Sequence, residues 1–136
     1  MRILVIVLFL INWQAVQMIN AQGTSVDPAL LQGEWQVDLR PTPDAPPYWQ
    51  TLKIKTNGGE IFSGQFYGSK FRKGLLNNQW AEVHLAFETR DRNHTYFHTA
   101  RFDGKVLHGQ TYCPERAFIA PWSAKRASTT KLTNEP

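Results

Sequence analysis

The sequence predicts an all-β fold, an eight-stranded antiparallel up-and-down barrel, with a β-sandwich as the alternative. Three observations carry this: eight successive runs in which apolar and polar residues alternate, short turn signals between nearly all of them, and no helix of useful length after the N-terminal segment. Alternation at period two marks strands with one buried face. Short connections join antiparallel neighbours, because a parallel pair needs a long crossover. Such a meander is expected to close on itself. Closure removes edges that promote aggregation, and eight strands enclose just enough space for side chains or one small ligand.

The chain opens with Met1 and Arg2, followed by an unbroken apolar run from Ile3 to Ile11 and a polar stretch ending in Asn20-Ala21-Gln22. This is the grammar of a signal peptide, residues 1–21, with cleavage expected after Ala21. The apolar run is about half of the roughly 20 residues that span a bilayer, so no stable membrane anchor is expected and the mature protein is read as secreted or periplasmic. Residues 22–32 form an N-terminal lead-in, where Asp27-Pro28 signals a turn and Leu30 and Leu31 signal a docked segment.

The barrel domain is read as residues 33–126. Trp35, Val37 and Leu39 alternate with polar neighbours in the first strand, and Leu52 and Ile54 do so within Tyr48 to Thr56. Between them lies the one long connection, Pro41 to Pro47, whose four prolines make it extended and stiff. The third strand, Glu60 to Tyr67, puts Phe62, Gly64 and Phe66 on one face, and Gly64 permits a close approach there. Lys70 to Leu76 is a weaker fourth. Ala81, Val83, Leu85 and Phe87 share one face of the fifth, and Tyr96, His98, Ala100 and Phe102 one face of the sixth. Lys105 to Cys113 is the seventh; Phe118, Ala120, Trp122 and Ala124 mark the eighth. Asp103-Gly104 carries the sharpest signal for a two-residue type I′ hairpin. Residues 127–136 are expected to form a flexible C-terminal tail.

Length and composition confine the function. A chain of 136 residues, 42% hydrophobic, fills one modest core and leaves little room for disorder. The net charge of +4 comes from scattered lysines and arginines with no basic tract, so no nucleic acid partner is expected. The single cysteine, Cys113, rules out an intrachain disulfide, so core and strand ladder must hold the domain together.

Gly33-Glu34-Trp35 at the start of the first strand resembles the G-x-W signature of lipocalins and avidins, the calycin barrels. The closing Trp122-Ser123-Ala124-Lys125-Arg126 adds a basic residue on the last strand, and the resemblance implies that such a residue packs over the first-strand tryptophan to seal one end. That is a cation–π contact from Lys125 or Arg126 to Trp35. The chain also resembles small exported bacterial proteins of unassigned function that end in a W-x-A-[KR] strand. Val37 departs from the avidin pattern, which has a polar ligand contact there, so biotin binding is not implied.

The residues that carry chemistry do not converge. His84 and His98 fall on opposite faces of their strands, which disfavours a zinc site built from His84, His94, His98, His108, Cys113 or Glu82. Cys113 and His108, five apart on one strand, also face opposite ways, so a nucleophile–base pair is not expected. Glu82 and Glu88 are separated by about 20 Å along an extended strand. Asn93-His94-Thr95 fits a glycosylation sequon and is read as incidental. No cofactor and no catalytic residue is assigned. The richest feature is an inward aromatic set, which suggests a non-catalytic barrel for a small, partly apolar ligand held by Trp35, Phe66, Tyr96, His98 and Trp122. The alternative is a filled barrel acting as an interaction or inhibitor module, with a protein partner bound through the Pro41 to Pro47 loop.

Overall fold

The structure is a computed structural model that describes residues 25–128. The expected signal segment and most of the expected tail lie outside the described residues. Eight strands run Gly33–Asp38 (β1), Trp49–Lys55 (β2), Ile61–Phe66 (β3), Ser69–Asn77 (β4), Val83–Arg90 (β5), Thr95–Phe102 (β6), Leu107–Cys113 (β7) and Phe118–Arg126 (β8). They form a closed antiparallel barrel in sequence order, with β1 paired to β8 from Trp35–Arg126 to Asp38–Ser123. The sandwich alternative is thereby set aside.

Burial follows the alternation that defines the strands. Trp35 and Val37, Leu52 and Ile54, Val83, Leu85 and Phe87, and His98, Ala100 and Phe102 all point inward. The middle layer is dense with rings: Phe71 stacks on Phe87 at 4.4 Å, Phe87 on His98 at 4.5 Å, and Phe66 lies 5.9 Å from Trp122. Gly109 pairs with Trp122 across β7 and β8, and the indole lies where a Cβ at position 109 would stand. Only glycine admits the tryptophan there. Gly64 serves similarly, sitting against Phe71 and the Lys53 carbonyl, as the sequence suggested.

The two ends differ. At one, the lead-in forms a short 3₁₀ turn, Pro28–Leu31, capped by the Asp27 carboxylate accepting from the Ala29 amide at 2.9 Å. Leu31 is fully buried, and the Trp35 indole N–H donates to its carbonyl at 2.9 Å. The Arg126 guanidinium lies 4.5 Å over the Trp35 ring and donates to the carbonyls of Leu30 and Gln32. Of the two basic residues considered, Arg126 caps the tryptophan; Lys125 is exposed opposite Gln36.

The turns also correct one expectation. Asp103 does not take positive φ; its carboxylate accepts from the Lys105 and Val106 amides at 2.8 Å each, making a wider four-residue connection with Gly104 at φ 101°. The two-residue hairpin is instead Tyr67-Gly68, where φ is 50° and 80° and the flanking Phe66 and Ser69 pair. Positive φ at both central positions is the type I′ requirement, met here with tyrosine where asparagine is usual.

The shortest ladder in the wall is a seam between β4 and β5. β4 and β5 pair in register only from Leu75–Ala86 to Asn77–His84, whereas β5 and β6 pair along eight positions. Beyond Gly74 the regular ladder is interrupted, although the two strands stay close. The Phe71–Phe87 stack fills the gap from inside, and the Ser69 hydroxyl reaches the Arg90 carbonyl at 3.3 Å.

Candidate ligand cavity at the barrel mouth

Strand direction places four connections at the end opposite Trp35: residues 39–48, Tyr67-Gly68, residues 91–94 and residues 114–117. Between them opens a cavity of about 460 Å³, walled by Phe66, Thr89, Tyr96, His98, Thr111 and Phe118 and rimmed by Leu39, Tyr48, Tyr67, Ser69, Asp91 and Arg116. A space of this size accommodates one small molecule. Larger depressions follow the outside of β4 to β8, among them one along the seam. They are open grooves with charged or mixed linings, the one along the seam reaching Thr89 and His98 from outside; the mouth is more enclosed and brings Thr111 to the same groups.

The floor is a buried polar chain. His98 on β6 lies beside Thr111 on β7, with which it pairs, and near Thr89 on β5. Its Nε2 lies 2.8 Å from the Thr89 hydroxyl and its Nδ1 2.8 Å from the Thr111 hydroxyl, which accepts from the Trp122 indole N–H at 2.9 Å. His98 is 3% exposed and both threonines 7%. Burial pushes the His98 imidazole down to a pKa of about 4, because no carboxylate compensates a charge there. The ring is therefore neutral at pH 7.

The rim is a second polar system. The Tyr96 hydroxyl donates to Asp91 at 3.2 Å and accepts from Arg116 at 2.7 Å. Asp91 also accepts from the Asn93 and His94 amides at 2.7 Å, and these backbone donors hold its carboxyl below the usual range. The Tyr48 and Tyr67 hydroxyls meet at 2.6 Å across the rim, which raises the Tyr67 pKa. The proline-rich connection is clasped at its base, where Asp38 accepts from the Arg40 side chain at 2.7 Å and from the Tyr48 amide at 3.3 Å.

Of the residues singled out in the sequence, Phe66, Tyr96 and His98 meet at this cavity. Trp35 does not; it seals the opposite end against Phe102, with ring centroids 5.4 Å apart. Trp122 lies beneath the floor, where its N–H fixes Thr111. Comparison with protein-family models, with curated proteins and with solved structures finds no match. The cavity must be read from its own chemistry. Thr89 and Thr111 were missed although parity exposes them: Thr89 continues the inward face of Val83, Leu85 and Phe87, and Thr111 that of Leu107 and Cys113. Asp91 and Arg116 sit in turns, where alternation carries no information. The remaining histidines lie apart, His108 beside Asp103 at 3.2 Å and His94 beside Asp91 at 3.8 Å. Cys113 is buried, with Glu115 its nearest polar partner at 3.9 Å.

Proposed function

We propose that this is an exported, non-catalytic binding protein that takes a small, partly apolar molecule into the mouth of a calycin-like barrel. The observation that carries the reading is the contrast between the two ends. Side chains fill the interior from Trp35 to the Phe66 layer, yet a cavity of about 460 Å³ stays open above it. A barrel with only a structural role gains by burying that apolar wall. Phe66 and Phe118 offer apolar contact, while His98, Tyr96 and the threonines offer the few oriented polar groups that fix a ligand. The Arg126–Trp35 contact supports kinship with lipocalins and avidins, since the resemblance implies it.

The uncharged fluorophore N-phenyl-1-naphthylamine tests this directly. Saturable, equimolar binding is expected, lost in Ser69→Phe, which narrows the entrance, and weakened in Tyr96→Phe without loss of fold by circular dichroism. Absence of saturable binding by the parent protein counts against the reading.

A second reading is favoured by the outside of the proline-rich connection. Tyr48 and Trp49 are 46% and 53% exposed beside it, an aromatic surface suited to a protein partner. Deleting residues 41–47 abolishes partner capture on this reading, and Trp49→Ser, which lies outside the cavity lining, weakens capture and leaves cavity binding intact.

A further inference from the structure

The chain of groups at the cavity floor has a hydrogen to spare. Trp122, Thr111, His98 and Thr89 each carry one polar hydrogen when the imidazole is neutral, and they are linked by three hydrogen bonds. Four hydrogens serve three bonds, so one is left over, and the tautomer of His98 decides where it stands. With Nε2 protonated, His98 donates to Thr89 and accepts from Thr111, which leaves the Thr89 hydroxyl hydrogen free. With Nδ1 protonated, His98 donates to Thr111 and accepts from Thr89, which leaves the Thr111 hydrogen free. Among the described residues neither hydroxyl has another acceptor, and both line the cavity.

We propose that the cavity selects a ligand that inserts an uncharged carbonyl oxygen, such as that of a ketone, aldehyde or amide, to accept the spare hydroxyl hydrogen of the Thr89–His98–Thr111 chain. This rests on the cavity being a binding site. An unpaired donor buried to this extent is costly to leave unmet, so a ligand with an acceptor at its inner end gains what a pure hydrocarbon cannot. A carboxylate also accepts, but here it would lie against a neutral imidazole and two hydroxyls. The rim cation, Arg116, stands with the Asp91 carboxylate about the same Tyr96 hydroxyl, so its charge is already offset. Burying an anion without a partner costs more than one hydrogen bond returns. The tautomer gives the site some tolerance, since one hydrogen is available at either of two positions.

Three probes of matched shape test the proposal at pH 7.5, with binding read by calorimetry: 2-acetylnaphthalene, 2-isopropenylnaphthalene and 2-naphthoate. The ketone is expected to bind about five- to tenfold tighter than the alkene, one hydrogen bond's worth, and tighter than the carboxylate. In ¹⁵N spectra of the His98 ring, the ketone should shift the balance between Nδ1 and Nε2 protonation, and the alkene should not. In the Thr89→Val/His98→Phe/Thr111→Val triple variant, which removes every donor of the chain that lines the cavity, the ketone preference should fall to within about twofold. If that variant does not fold, the comparison of probes and the tautomer shift in the parent protein still decide. Equal affinity for ketone and alkene, or tightest binding of the naphthoate, overturns the proposal while leaving the cavity reading in place. No binding of any probe overturns both.

Discussion

At the scale of the residue, His98 ties stability to pH. Its folded-state pKa is about 4 against an ordinary 6.5. A histidine whose pKa is depressed by folding takes up its proton in the unfolded chain first. Its contribution is therefore intact above pH 6.5 and is lost as pH falls from 6.5 toward 4. The full span corresponds to about 3 kcal/mol, of which about 2 kcal/mol is to be read as the fall in unfolding free energy by urea titration between pH 7 and pH 4.5. In His98→Gln that slope should flatten. Alternation placed His98 on the inward face together with Tyr96, Ala100 and Phe102. Its two hydroxyl partners come from neighbouring strands, and a partner across a ladder depends on register, which a single run of sequence does not contain.

Elements show where pattern reading works and where it fails. All eight strands are legible as alternating runs, because a barrel wall imposes one wet and one dry face on every strand. Turns are less legible. Asp103-Gly104 satisfies the hairpin rule, yet the Asp103 side chain captures two amides and opens the connection, while Tyr67-Gly68 makes the tight turn with an atypical tyrosine held by Tyr48. Gly68 has φ of 80° and open space around its Cα, so Gly68→Ala meets conformational strain without steric clash. The expected loss is about 1 kcal/mol, seen as a melting temperature about 4–8 °C lower. The seam gives a second prediction. Along Lys70–Gly74, amides directed at β5 lack a ladder partner, so this segment should exchange hydrogen faster than Phe97–Arg101 of β6, which pairs on both sides.

For the whole molecule, the lead-in before Gly33 takes part in closing one end of the barrel. The lead-in supplies Leu31, the carbonyls that receive Arg126 and Trp35, and a bond from the Val26 amide to Ala81 at 3.2 Å, so the barrel floor is built from residues outside the strands. Sequence marked Leu30 and Leu31 as a docked segment; only Leu31 is buried, with Leu30 48% exposed, and what Leu31 docks into exists only once β1 and β8 have met. Leu31→Ala should cost about 2–5 kcal/mol in chemical unfolding, as expected of a fully buried leucine. The mouth, by contrast, should tolerate Ser69→Phe with little change in stability. One end carries stability and the other is free to vary.

The interrupted ladder between β4 and β5 bears on how copies of the protein meet one another. A closed barrel has no free strand edge, but this one keeps two short ones, and their outer surfaces carry Lys70, Arg72, Lys73 and Arg90 against the single acid Glu88. Like charges repel two molecules that approach seam to seam, over about 8 Å at physiological ionic strength. The lysines and arginines that looked like ordinary solubility charges in the sequence thus guard a place where strand could add to strand. Concentrated salt, which screens them, is the condition under which the protein should first begin to associate.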